Sequence, residues 1–354
     1  MKRSITIITA LALMLSPLFS EARPKTHVIG FYNLENLFDT YHDEGKNDYE
    51  YLPDGANEWT EAKYQKKLRN MAHVIAEMKR DNGQWHAVLG VAEIENRHVL
   101  EDLVSEPEIH DANFQIVHYD GPDRRGVDVG LLYDPSQMTL VDSESIPYTF
   151  DSDIDFGMTA EEKDAFRTRD VLMVHGIIDG EHFAFYVCHL PSRLGEKSGA
   201  LRARGGEIVY NHYLTLLQKY PDIKCVVMGD MNDNPTDDSM ALYLRGRETI
   251  QEMVPGDFFS PFLSMLKAGY SSLYYRGESN IYDCILVSYN LAHPAKGTLG
   301  IIPITKRQYY ARIFTRPFMT NQSGQYKGTP FRTFSNGAFV GGYSDHYPTY
   351  IVIQ

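Results

Sequence analysis

The sequence has 354 residues, 43% of them hydrophobic, enough for one large or two ordinary domains with a substantial core. A formal net charge of -13 excludes a body that attracts polyanions at long range, so a nucleic-acid partner would need an intervening cation or a local basic surface. Cys188, Cys225 and Cys284 are too few and too oddly numbered for a disulfide framework and lack the paired spacing of a thiolate metal site, so they read as buried thiols.

Met1-Lys2-Arg3, an apolar run over residues 5–19 and then Ser20-Glu21-Ala22 match a secretory signal peptide: basic, apolar, small-x-small. The run is short for a membrane span, and no later stretch is long and apolar enough for one. Residues 1–22 are therefore expected to be removed. Residues 23–354 are expected to form one exported catalytic domain, periplasmic or secreted, with no stable membrane insertion. Residues 28–32 predict a first strand that runs into Asn33. Between Asp39 and Glu61 eight acidic residues stand against one lysine, the composition of a solvated loop. Thr60 is placed to cap a helix in which Tyr64, Leu68, Met71, Ile75 and Met78 recur at steps of four and three, and Asp81-Asn82-Gly83 stops it.

Residues 86–94 predict a second buried strand that delivers Glu93 at its end. A helix from Val99 and strands near 114–118 and 127–133 follow, and this alternation points to a layered α/β domain. Residues 143–168 are acidic and polar and read as an insertion. Residues 171–178 and 182–188, joined through Asp179-Gly180, predict a hairpin ending at His189-Leu190-Pro191-Ser192-Arg193. A helix over 199–220 leads to 223–228, a β-branched apolar run that predicts a central strand covered on both faces. Gly229 permits a close-packed exit, and Asp230 and Asn232 follow at strand spacing, so a carboxylate and a carboxamide project together. Asn234-Pro235 breaks the element, and Thr236 is placed to cap a helix. A further strand over 281–288 carries Asp283.

The segment 291–344 differs in kind, with Lys296, Lys306, Arg307, Arg312, Arg316, Lys327 and Arg332 and no Asp or Glu. Aromatic residues from Tyr309 to Phe334 are interleaved with them. It reads either as a platform for a nucleic-acid strand or as a structured insertion whose charges the acidic body balances. Gly341-Gly342-Tyr343-Ser344-Asp345-His346 precedes a last strand over 347–353.

Asn33, Glu93, His189, Asp230 with Asn232, Asp283, and Asp345 with His346 thus lie at the ends of separate predicted strands. Oxygen ligands of these types suit a hard divalent cation, Mg²⁺ or Mn²⁺, and two histidines among carboxylates supply proton transfer or charge stabilisation. The set suits attack of water on a phosphoester.

Phe31-Tyr32-Asn33, Val91-Ala92-Glu93, Cys188-His189-Leu190, Gly229-Asp230-Met231-Asn232, Tyr282-Asp283 and Ser344-Asp345-His346 stand in an order and spacing that resemble the endonuclease/exonuclease/phosphatase superfamily. The likeness spans about residue 26 to 354, and the stretches 189–195 and 341–346 resemble its exported bacterial branch. This resemblance implies a four-layer α/β sandwich with two central mixed β-sheets flanked by helices. It implies Glu93 as the main metal ligand, helped by Asn33 and Asp345, with Asp230 orienting or deprotonating the water. Asn232 would hydrogen-bond a phosphate oxygen, His346 held by Asp283 would stabilise the pentacovalent phosphorane, and His189 would assist the leaving oxygen. Among Arg125, Arg167, Arg169, Arg193, Arg202 and Arg204, Arg193 follows His189 most closely and is the expected phosphate clamp. Apurinic endonucleases carry a Tyr where this chain has Arg125-Gly126-Val127-Asp128-Val129-Gly130, which argues against abasic-site repair.

The expected function is therefore an exported, metal-dependent and nuclease-like phosphodiesterase acting on a phosphoester substrate, with nucleic acid suggested by the basic aromatic segment. The alternatives are a phosphatase or a phospholipid or sphingomyelin-type phosphodiesterase on a small or lipid-linked phosphoester, and a non-catalytic binding protein on the same fold. No protein partner is inferable.

Overall fold

β1 (His27–Leu37) lies at the centre of a seven-stranded mixed sheet because its residues are apolar almost without interruption and buried on both faces. It pairs in parallel with β2 (His86–Ile94) and antiparallel with the last strand, Thr349–Ile353. β3 (Gln115–His118) and β4 (Asp128–Tyr133) extend the sheet beyond β2, and the short strands Ile301–Ile302 and Ala311–Ile313 pair with the last strand. A second seven-stranded sheet runs from β5 (Met138–Ile146) through β6 (Val171–Ile178), β7 (Glu181–His189) and β8 (Lys224–Asp230) to Asp283–Ser288, Phe258–Phe259 and Gly246–Arg247. The computed structural model describes residues 25–304 and 309–354, so the expected signal peptide and Lys306 and Arg307 lie outside the described residues.

The sheets pack face to face. A Cβ on Gly90 of β2 would meet Met228 Sδ of β8 at 2.6 Å, so glycine there lets a large side chain of the facing sheet fill the core. Gly229 is needed for a different reason, since a Cβ would lie 2.1 Å from the Cys188 carbonyl oxygen on the neighbouring strand. α1 (Glu61–Asn82) and α2 (Arg97–Ser105) cover the first sheet. After the short α3 (Ala160–Ala165), α4 (Ser198–Lys219) covers the second, where its His212 meets Tyr186 of β7 and its Tyr213 packs edge-on against Phe258. Two mixed sheets between helical layers are the expected four-layer sandwich. All three cysteines are buried free thiols.

Local differences have local causes. β5 occupies part of the stretch read as an insertion, and it is an edge strand whose mostly exposed residues give no apolar alternation to detect. The acidic stretch after Asp39 is anchored rather than simply solvated. Asp39 and Asp48 are buried and accept backbone N–H groups from Tyr41 and Asp43, and fully buried Trp59 donates to the Phe38 carbonyl at 2.9 Å. Thr60 occupies the N-cap of α1 without a side-chain cap bond. No helix starts at Thr236; a single wide turn, Ser239–Tyr243, begins three residues later.

Three of the basic residues of segment 291–344 are tied to the acidic body, as the second of its two readings expects. Arg312 and Arg316 pair with Asp81 at 2.8 and 2.6 Å, Arg332 pairs with Glu35 and Asp345 at 3.0 Å each, and Phe314 is fully buried.

His86 lies against β1 and Tyr350, fully buried, with neither ring nitrogen hydrogen-bonded among the described residues. Burial pushes its pKa from 6.5 down to about 4. The unfolded chain therefore takes up a proton that the folded one refuses, so stability present above pH 6.5 is lost as pH falls toward 4. His86→Leu is expected to lose about 3 kcal/mol less than wild type over that window, read from urea unfolding at each end of it. Equal losses in the two proteins would refute the assignment.

Candidate active site

The register of the second sheet builds half of the site. Asp230, the last residue of β8, is the strand partner of His189 on one side and of Asp283 on the other. The first sheet brings Asn33 and Glu93, and the turn before the last strand brings Asp345 and His346. Both β1 and β2 break register here, between Asn33 and Leu37 and between Ala92 and Ile94. Glu93 takes a left-handed φ of 58°, with Glu35 and Asn36 at 48° and 51°. Such backbone costs a non-glycine residue roughly 1–3 kcal/mol and persists where the surroundings hold it. Here the Asn36 N–H donates to Glu93 Oε2 at 3.0 Å, and the Glu35 N–H to Asn33 Oδ1 at 2.9 Å.

Asn33 Nδ2 donates to Glu93 Oε1 at 3.2 Å and to Asp230 Oδ2 at 3.1 Å, joining the carboxylates of the two sheets. The same Asp230 oxygen lies 3.7 Å from His189 Nε2 and 3.8 Å from His346 Nε2. His346 Nδ1 donates to Asp283 Oδ2 at 2.8 Å, and Ser272 donates to that oxygen too. Asn232 does not continue the strand. Its φ is 49°, its N–H donates to Asp230 Oδ1 at 2.9 Å and its amide nitrogen to the Leu190 carbonyl at 2.9 Å.

The two histidines are driven to opposite states. Burial lowers the pKa of His346, but Asp283 and Asp230 outweigh it and hold the group well above the usual imidazole range. Burial, with Arg169 and Arg125 adding to it, holds His189 well below that range. Burial raises the pKa of Asp230, partly offset by His346. A cationic imidazole and a neutral one thus flank one carboxylate, the pattern of an acid and base pair sorted by environment.

The residues fit a hard divalent cation. Ligand atoms of Glu93, His189 and Asp230 lie within 4.8 Å of one another. Four carboxylates, Glu93, Asp230, Asp283 and Asp345, gather here, with His346 and Arg332 as the cationic groups paired to Asp283 and Asp345, and buried Asp345 Oδ1 has no hydrogen-bond partner among the described residues. Asn33 meets the carboxylates through its nitrogen, so ligation through its oxygen requires the amide to turn.

Arg193 does not join this cluster. Its guanidinium is neutralised by Asp233 at 2.9 Å and Asp237 at 2.8 Å. Arg169 is buried and uses its donors on the His189 and Leu190 carbonyls, at 3.0 and 2.7 Å, and on Asp123 at 3.1 Å, so it positions the His189 turn. Lys67 and Asn70 of α1 escaped the sequence reading. Asn70 donates to the carbonyls of Gly341 and Gly342, while fully buried Lys67 donates to that of Tyr343 at 2.7 Å and faces Glu35 at 3.7 Å. The signal was a lysine inside the apolar stripe, between Tyr64 and Met71. Lys67→Met is expected to destabilise the protein by about 3 kcal/mol in urea unfolding, because it strips a buried carboxylate and two acceptors of their cation. A loss below about 1 kcal/mol would show that the clasp is dispensable.

A cavity of about 480 Å³, lined by Tyr274, Tyr326, Phe331, Phe334, Arg332 and Asp345 among others, opens beside the cluster. The chain matches the family described as Endonuclease/Exonuclease/phosphatase over residues 28–354. No curated protein matches its sequence. Similar solved structures include a mannosyl-6-phosphatase of Bacteroides thetaiotaomicron (TM-score 0.55, 15% identity, covering 93% of this chain and 99% of that one). A D. rerio TDP2 humanised by 14 mutations (0.51, 13%, 93% and 99%) and the human Nocturnin catalytic domain with bound sulfate (0.51, 14%, 93% and 94%) are also similar. At these identities the likeness is one of fold.

Proposed function

Since this chain belongs to the Endonuclease/Exonuclease/phosphatase family and is a hydrolase of phosphoesters, we propose that it is an exported phosphodiesterase dependent on Mg²⁺ or Mn²⁺. The observation that carries this reading is the meeting of Glu93, Asp230, His189 and His346 around one point, with Asp283 hydrogen-bonded to His346.

Glu93, Asp345 and Asn33 would hold the cation, which when bound neutralises phosphate charge. Asp230 orients the attacking water and takes its proton, and Asn33 and the Asn232 N–H keep the carboxylate in place. His346, kept cationic by Asp283, stabilises the charge that gathers on the phosphoryl oxygens in the transition state. A neutral His189 with its proton on Nε2 can donate a hydrogen bond to the leaving oxygen and so assist its departure while keeping that proton. Asn232, with one amide proton left beyond its bond to Leu190, can reach a phosphoryl oxygen. Arg193 would serve the phosphate only after leaving Asp233 and Asp237.

Two observations favour a second reading of the substrate. Arg312 and Arg316 share the one carboxylate of Asp81, which offsets part of the charge that suggested nucleic acid, and the cavity of about 480 Å³ beside Asp345 is of the size that takes a small molecule. Both point to a small or lipid-linked phosphoester, and the mannosyl-6-phosphatase among the similar structures is a phosphatase of that kind.

Hydrolysis of bis-p-nitrophenyl phosphate and p-nitrophenyl phosphate with Mg²⁺, Mn²⁺ or chelator, beside plasmid DNA and RNA, decides among these. Chelator-sensitive cleavage of the diester and of nucleic acid supports the nuclease-like form. Turnover of the diester alone supports a small diester, and turnover of the monoester alone makes the enzyme a phosphatase. Activity untouched by chelator would overturn the metal-dependent reading. Export rests on the order of basic, apolar and small residues in 1–22, and a mature N-terminus near residue 23 in protein from the cell envelope tests it.

A further inference from the structure

At the outer edge of the first sheet, His118 ends β3 and Asp128 begins β4, bracketing the loop 119–127. The His118 side chain is only 2% exposed, yet its Nε2 makes no hydrogen bond among the described residues. An unpartnered buried nitrogen is costly unless something fills its valence.

What faces it is carboxylate. Asp128 Oδ2 lies 3.4 Å from Nε2, and the side chain of Asp128 is 4% exposed. Its other oxygen already accepts the Gly121 N–H at 3.0 Å, which holds the carboxylate in place, and only a glycine leaves room for it there, since a Cβ on residue 121 would sit 2.6 Å from that oxygen. Asp120, 80% exposed, brings Oδ1 to 3.9 Å from the other nitrogen of the ring. Ligand atoms from the three residues lie within 4.8 Å of one another. The 3.4 Å spacing suits two ligands of one ion, because bonds of about 2.0 Å at a tetrahedral angle separate their ends by roughly 3.3 Å. Exposed Asp120, free to change rotamer, would close in as the third ligand, and water would complete the shell.

We infer that His118, Asp128 and Asp120 form a binding site for a zinc-class divalent cation, separate from the catalytic cluster. With the imidazole itself as a ligand, the set suits Zn²⁺ better than Mg²⁺, whereas at the catalytic cluster the oxygens of Glu93, Asp345 and Asn33 are the ones expected to hold the ion and His189 is left free for the leaving oxygen. The ion would fasten the loop that carries Asp123, the carboxylate that holds Arg169 against the His189 carbonyl. It is a brace on the site and takes no part in the reaction.

The test is calorimetric titration of Zn²⁺ into the full chain carrying Glu93→Gln and Asp230→Asn, which removes the catalytic carboxylates. One equivalent is expected to bind and to raise the melting temperature. Adding Asp120→Asn, an exposed change that leaves the fold intact, is expected to weaken binding about tenfold or more, and His118→Phe to abolish it. Absence of stoichiometric Zn²⁺ in the Glu93→Gln, Asp230→Asn protein would overturn the proposal, as would binding indifferent to Asp120→Asn. Neither result bears on the phosphodiesterase reading, because that protein lacks its catalytic carboxylates by design.

Discussion

Asp230→Asn is expected to lower kcat for diester hydrolysis by about 10³-fold or more while leaving the fold at least as stable as wild type. The amide keeps an acceptor for the Asn232 N–H but loses the basic oxygen that lies between His189 and His346. The stability half of the expectation follows from the raised pKa of Asp230, whose ionised form is strained by burial. The folded state binds that proton more tightly than the unfolded state, so the wild-type carboxylate costs stability as pH rises through its folded pKa. Asparagine carries no such cost at neutral pH, and the difference should vanish in acid. Kinetics and urea unfolding on the same samples check both halves, and activity within tenfold of wild type would remove Asp230 from its assigned role.

The second large effect is expected at Asp283. Asp283→Asn keeps the volume and leaves a partner for Ser272, but removes the charge that holds His346 cationic. In the wild type, any step that needs a cationic His346 works through neutral pH and fades only as pH rises past the raised pKa. In the variant the alkaline limb of the kcat profile should move down by about 1 to 3 pH units. At pH 8 the fall in kcat should reach about 10²-fold or more, with KM changed little. An unmoved alkaline limb would mean that the limb reports a different group.

Much of this was readable in the chain because a central strand is an apolar run and a site at strand ends is a polar residue just past it. β1, β2, β7 and β8 announce themselves that way, and Asn33, Glu93, His189 and Asp230 follow from their ends. What the residues cannot announce is pairing. His189 stands beside Asp230 only because β7 and β8 run parallel in one register. The same gap explains the arginines of segment 291–344, whose charge looked unopposed because the partner of Arg316, Asp81, is 235 positions away. The left-handed residues at Glu93 and Asn232 broke the assumption of strand spacing, since alternation stops where the backbone turns.

The clasp of α1 on residues 341–343 and the pairing of β1 with Thr349–Ile353 also set a time order for biosynthesis. Early-made residues supply Asn33 and Glu93, but His346, more than 250 positions further on, reaches them only after the intervening chain has left the ribosome. Contacts between segments so distant in sequence form late and close slowly. A polypeptide that stops short of residue 346 therefore carries Asn33, Glu93, His189, Asp230 and Asp283 without the histidine that meets them, and the site is assembled only when Thr349–Ile353 docks against β1.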